Sequence, residues 1–289
     1  METLRKIFLP ITVPMKFIQD HFKAMIFLLI LFLLFAPTDE QSLTPNNLQE
    51  IHLVGPIMEV TKVVEEIETA RNDAAIKGVL FVVDSPGGAV APSVEVAYAI
   101  KRLSAVKPVV AYAQGSLASG GYYASVYADE IIANPGSMVG SIGVIMQGAN
   151  VGELMQKIGI KSQYVKAGKY KQVGTPDREW TSYEKNELNK VIQGTYEMFV
   201  ADVAAGRDLN ISDKDFFANA HIFTAMQAKK VGLVDEIGVK FDAKSRVKEL
   251  SQVEEARWNK EDKFDKFMKQ FAAEGASLIH IYFPELTLK

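Results

Sequence analysis

Residues Gly78 to Val83, GVLFVV, carry no polar side chain, and this run constrains the fold more than any other stretch. A strand that is apolar on both faces must be covered on both, the situation of a strand inside a parallel sheet flanked by helices. Pro108 to Tyr112, PVVAY, repeats the pattern. Between the two lies 91–104, APSVEVAYAIKRLS, which reads as a helix. A strand at 51–57 and a helix at 60–75 come before them, the helix marked by Val63, Val64, Ile67 and Ala70 at helical spacing. Strands alternating with helices predict an α/β domain.

The pattern continues downstream. A helix is expected at 122–128, a short strand at 130–133 and a glycine-punctuated strand at 136–146. A helix at 151–158 and a strand at 161–166 follow, then a loop over 167–177, AGKYKQVGTPD. Residues 182–205 read as one long helix, with Thr181 as N-cap and Glu184 three residues on in a capping-box pattern. Gly206 suits its C-terminal end. A helix at 223–231 and a last element at 232–237, GLVDEI, complete the domain. Beyond it Phe264, Phe267, Met268 and Phe271 form an apolar helical stripe suited to packing or assembly.

Composition excludes several classes of function. The 32 Lys and Arg are scattered and slightly outnumbered by 35 Asp and Glu, so no nucleic-acid partner is expected. With no cysteine there is no thiol nucleophile or thiolate metal site. His21, His52, His221 and His280 lie far apart and make no zinc spacing.

The N-terminal part reads as a membrane signal. Ala24 to Ala36, AMIFLLILFLLFA, is an unbroken apolar run. At 1.5 Å per residue it spans roughly 20 Å, short of the ~30 Å hydrocarbon layer, though a snorkelling Lys23 and local thinning would absorb part of the deficit. Arg5, Lys6, Lys16 and Lys23 precede it, and Asp39 and Glu40 follow, which by the positive-inside rule leaves the N-terminus cytoplasmic. A cleaved signal peptide is the rival reading, but Leu34 to Pro37 fits an A-x-A-like site poorly. The expected organisation is therefore a cytoplasmic segment at 1–23, an anchor (or signal sequence) at 24–36, a linker at 37–49 and one domain over 50–289, with a C-terminal helical extension from about 244.

Each of the two buried strands runs into a glycine turn. The first leads into Asp84 to Gly88, DSPGG, and the second into Gly115 to Tyr123, GSLASGGYY. Ser119 thus stands at the carboxyl end of a strand, where α/β sheets place their sites. A serine there can attack a carbonyl while backbone N–H groups of Gly88 and Gly120, at the same end of the sheet, hold the oxyanion. The serine needs a base. Residue reading alone leaves Lys166, at the end of the 161–166 strand, and Lys169 and Lys171 of the following loop open, beside His221, because a desolvated lysine can serve in its neutral form.

GSLASGGYYAS, preceded by DSPGG and followed by GSIGV, a lysine loop ending in GTP, and GLVDEIG, resembles the signal peptide peptidase A family. The resemblance spans about residues 50 to 240 and implies a ClpP/crotonase-like spiral of ββα units and a Ser-Lys serine endopeptidase. It places the nucleophile on Ser119 and selects Lys171 as general base. A serine–lysine mechanism of this kind requires neither a metal nor a cofactor, and none is expected. Ser141 of GSIGV becomes the residue orienting that base, and Gly88 and Gly120 the oxyanion hole. Tyr122 and Tyr123 are expected to pack beneath the site. The chain is about half as long as tandem-domain members, so the single-domain form is implied. That form assembles as a homo-oligomeric ring, an octamer being the candidate, in which neighbouring subunits complete each site. Together with the apolar N-terminal run, the expectation is a single-pass protein of the bacterial cytoplasmic membrane. It would have lipid contacts through 24–36 and an extracytoplasmic domain cleaving hydrophobic peptides such as remnant signal peptides. A non-catalytic membrane scaffold and a crotonase-like acyl-CoA enzyme are the alternatives.

Overall fold

The computed structural model of the chain describes residues 21–27 and 45–259. Residues 46–259 form one compact unit. Its frame is a parallel-rich sheet whose central strands are the two apolar runs. β1 (Leu48–Val54), β2 (Gly78–Ser85) and β3 (Val109–Ala118) pair in parallel, with Leu48 opposite Gly78 and Val79 opposite Val109. β3 is long enough to serve two neighbours in succession. Val110 to Ala113 pair with β4 (Glu130–Ala133), and Ser116 to Ala118 pair with β5 (Met138–Gly140). β6 (Ile222–Thr224) runs antiparallel to β5, and β7 (Glu236–Ile237) parallel to β4.

Both faces of the sheet are covered, which is why β2 has no polar position before Asp84. Val79, Phe81 and Val83 face a large core shared with α1 (Thr61–Asn72), α2 (Val90–Ser104), α3 (Gly120–Ser125) and the long helix below. Leu80 and Val82 face a smaller core closed by Ala243 and Val247 of α8 (Lys240–Leu250), the last helix among the described residues, with Trp258 against it. The remaining helices are α4 (Gly152–Lys157), α5 (Ser182–Gly206), α6 (Lys214–Phe217) and α7 (Ala225–Lys230).

Several expectations need correction. Residues 161–166 form no strand: they are exposed and irregular, since a run with only Tyr164 and Val165 apolar has little to bury. The strand expected over 136–146 shrinks to Met138–Gly140, because Gly140 at φ 109° and Ser141 at φ 50° break the extended path. α5 does end at Gly206 as expected, but without a left-handed cap, since the capping residue Arg207 has φ −114°. A Cβ on Gly206 would instead sit 2.6 Å from the Val126 carbonyl oxygen, so glycine is there for close approach.

The expected membrane anchor is also corrected. Residues 21–27 are helical, 28–36 lie outside the described residues, and among the described residues no helix is long and apolar enough to cross a membrane. The single-pass placement in the bacterial cytoplasmic membrane, drawn from that anchor, is not supported. A thirteen-residue apolar run was already short for the bilayer on length alone. The stripe from Phe264 to Phe271 likewise lies outside the described residues.

α8 is held by charge as well as by packing. Glu50, mostly buried on β1, receives Lys240 at 2.6 Å, Lys244, and His52 at 3.4 Å. Burial opposes its ionisation, but these partners prevail and hold the Glu50 carboxyl far below its ordinary value of 4.5. A depressed carboxylate contributes stability above its unfolded pKa and loses it as pH falls. Denaturant unfolding of the wild type should therefore weaken below about pH 4.5, and Glu50→Gln should flatten that acid limb by about 1–2 kcal/mol, the lysines being about one-third exposed and screened.

Candidate active site

The two glycine turns meet at Ser119. β3 ends at Ala118 and α3 begins at Gly120, leaving Ser119 alone at the corner with φ 51° and ψ −122°. A non-glycine residue in that region carries strain of about 1–3 kcal/mol and persists only when its surroundings fix it. Here they do. The Ser119 N–H donates to the Gly140 carbonyl at 2.8 Å, and the Ser119 carbonyl accepts the Tyr123 N–H at 2.9 Å. Ser119 thereby sits at a sharp strand-to-helix turn.

The DSPGG turn lies directly against this corner. Gly87 has φ 98°, and a Cβ there would fall 2.7 Å from both the Gly120 nitrogen and the Ser119 Cβ. A Cβ on Gly120 would lie 3.3 Å from the Gly88 nitrogen, so the two candidate oxyanion donors are near neighbours. Among the described residues neither amide donates to another group. The bridge between Ile57 and Gly88 uses the Gly87 carbonyl and the Ala89 N–H, which leaves the Gly88 N–H outside it. The Gly120 N–H opens α3 and has no intrahelical acceptor. Asp84 holds the strand feeding this corner by accepting the Ser116 N–H at 2.8 Å.

Ser119, Gly88 and Gly120 line one cavity of about 90 Å³, together with Val90, Ser93, Tyr123, Gly143, Val144 and Ile145. Its far wall comes from α5 through Thr195, Met198 and Phe199. The sequence reading did not single out this wall, although 195, 198 and 199 follow helical i, i+3, i+4 spacing. Tyr122 packs beneath, fully buried, its hydroxyl donating to the Leu233 carbonyl at 2.9 Å. The GLVDEI segment is thus a brace, since Arg207 also holds Asp235 at 2.7 Å.

Ser141 is placed beside Ser119 by register. Ala118 opposes Gly140 on parallel strands, so the two serines follow at adjacent strand ends, both with positive φ. The Ser141 N–H donates to the His221 carbonyl at 2.7 Å, yet Ser141 does not line the cavity. Nor does His221, whose side chain is exposed.

The three candidate lysines are not brought to the cavity within this chain. Lys166, Lys169 and Lys171 are exposed and none lines it. Lys169 is engaged over the rings of Tyr170 and Tyr183, at 5.5 and 5.1 Å. Lys171 rides a turn whose far end is fastened to α5. Arg178 makes two 2.8 Å bonds to the buried Glu184, which with the Thr181 N–H lower its carboxyl to about 2. Trp180 adds a bond to the Thr175 carbonyl at 2.8 Å. The expected pairing of Thr181 with Glu184 is present at the start of α5.

Comparison with known proteins places this architecture. The model of peptidase family S49 matches residues 101–254, more than half of the chain. The chain belongs to peptidase family S49. Among the relatives it matches, a protein named as a protease, MJ0651 of Methanocaldococcus jannaschii, is 44% identical over 187 residues, covering 65% of this chain and 60% of the relative. Another named as a protease, slr0021 of Synechocystis sp., is 37% identical over 203 residues, covering 70% and 73%. A protein of Enterococcus faecium named for signal peptide peptidase SppA is 32% identical over 192 residues, covering 66% and 56%. The match to this S49 member therefore spans under two thirds of the first and third of these relatives.

Proposed function

We propose that the chain is a serine endopeptidase that cleaves peptides rich in apolar side chains, with Ser119 as nucleophile and Lys171 as general base. The observation that carries this reading is the convergence of two glycine turns on one strained serine beside a cavity. The sheet would be the ClpP/crotonase-like spiral typical of such enzymes. In the first step the neutral Lys171 amine takes the Ser119 proton as Oγ attacks the scissile carbonyl. The Gly88 and Gly120 N–H groups hold the oxyanion, donors that gain strength as charge develops. The tetrahedral intermediate collapses to an acyl-serine as the Lys171 ammonium returns a proton to the leaving amine. Water, deprotonated by the same lysine, then releases the acyl group. Ser141 orients the amine.

Because Lys171 is exposed and away from the cavity, the base that completes each site is proposed to come from a neighbouring copy of the chain. The apolar side chains around it support this. Ile145, Leu154, Ile158, Tyr164 and Val165 are all more than half exposed on the segment between the two serine strands and α5, a surface suited to a second copy. Its cover would also desolvate the lysine, which favours the neutral amine. Remnant signal peptides are the proposed substrate class, in line with the name carried by the Enterococcus relative.

The test is hydrolysis of a hydrophobic signal-like peptide by the full chain. Wild type should cleave, Lys171→Ala should lose at least about a hundredfold in turnover, the usual contribution of a general base. Mixing Lys171→Ala with Ser119→Ala should restore part of the activity. A correctly folded wild type inert toward every such peptide would overturn the reading in favour of a non-catalytic role.

A further inference from the structure

One carboxylate ties the far wall of the cavity to the helix that follows Ser119. Asp202 of α5 accepts the Tyr123 hydroxyl on Oδ2 and the Tyr127 hydroxyl on Oδ1, the latter at 2.8 Å. Tyr123 and Phe199 both line the cavity, and their rings lie 4.5 Å apart. Tyr127 stands outside it, with the Lys101 ammonium 4.2 Å from its ring centre. Asp202 therefore grips one ring that shapes the cavity and one that does not. Apolar contact between α3 and α5 would tolerate sliding, whereas two charge-assisted bonds fix a direction and a distance. Burial, with the carboxylate next to them, pushes both tyrosine hydroxyls above their ordinary range, so they stay protonated donors.

Resting on the reading of Ser119 as nucleophile, we propose that Asp202 is a positioning residue that sets the width of the side-chain pocket beside Ser119, and through it the choice of the substrate residue held there. The clamp fixes the Tyr123 ring, the ring fixes Phe199, and Phe199 with Met198 sets the gap across which an apolar side chain must fit. About 90 Å³ suits a single side chain. Loss of the clamp leaves the serine and its two amide donors in place while the wall loosens.

The experiment compares wild type, Asp202→Asn, Asp202→Ala and Tyr127→Phe as full-length chains. The probes are fluorogenic tetrapeptide amides that differ only in Ala, Leu or Phe before the scissile bond. Asp202→Ala should raise KM for the preferred peptide by about fivefold or more, hold kcat within about threefold, and compress the spread of kcat/KM across the series by at least about fivefold. Tyr127→Phe, which removes one bond without touching the cavity, should shift the spread in the same direction by less. Asp202→Asn keeps an amide oxygen as acceptor and should restore most of the wild-type spread. If Asp202→Ala lowers Tm but leaves the spread unchanged, the residue is structural only and the proposal is overturned. Asp202→Asn matching Asp202→Ala in kinetics would overturn it too. A wild type that cleaves none of the peptides and takes no phosphonate on Ser119 ends the peptidase reading and this assignment with it, a result unlike the other two.

Discussion

Replacing Ser119 by alanine is expected to lower peptide hydrolysis by at least about 10⁴-fold while leaving the fold in place, the scale seen when a nucleophile that acts as a unit with its base is removed. The fold should survive because the corner is held by backbone bonds, from the Ser119 N–H to Gly140 and from the Tyr123 N–H to the Ser119 carbonyl. Alanine keeps both, and at φ 51° it is strained no more than serine. Turnover and thermal denaturation on the same preparation check this: activity should vanish with Tm unchanged within a few degrees. A Tm that falls with the activity would mean the side chain had been structural.

Gly88→Ala should act in the opposite way, through the fold. A Cβ at this position would lie 2.1 Å from the Ile57 carbonyl oxygen and 2.6 Å from its nitrogen, both backbone atoms that cannot swing aside. The Ile57–Gly88 bridge must then open, moving the amide proposed to hold the oxyanion. Overpacking of this kind costs about 3 kcal/mol or more, or a fall in Tm of roughly 6–12 °C for a domain of this size, with activity lost at temperatures where the chain is still folded. Gly194 of α5 provides the contrast. Nothing lies within 4 Å of a Cβ there, and Gly194→Ala should stabilise by up to about 1 kcal/mol through helix propensity. Calorimetry on the two variants separates a site-bound glycine from an incidental one.

What was legible in the sequence was what local chemistry dictates. The apolar runs at 78–83 and 108–112 became β2 and β3 because strands covered on both faces tolerate no polar position, and each led into its turn as expected. The capping pattern at Thr181 and Glu184 marked the start of α5. Less visible were features that depend on partners distant in sequence. α8 has a sparse apolar face, Ala243 and Val247, and is fastened by Glu50 nearly two hundred residues away. Residues 161–166 looked like a strand by composition but join no sheet among the described residues. The Tyr123–Asp202 contact spans 79 residues and leaves no periodic trace. Ser119 itself was readable, since glycines on either side of a strand end signal close approach. The placement of Lys171, exposed and away from the cavity, was not, because a motif match gives a residue's identity and says nothing of where the fold puts its side chain.

The most direct measurement is peptide mapping by mass spectrometry after the folded, full-length chain has reacted with a peptidyl phosphonate, run for wild type and Lys171→Ala. A serine peptidase with a lysine base predicts one adduct per wild-type chain, located on Ser119, and little or no adduct in Lys171→Ala. An adduct on another residue, or none on Ser119 in a preparation that cleaves peptides, would contradict the assignment.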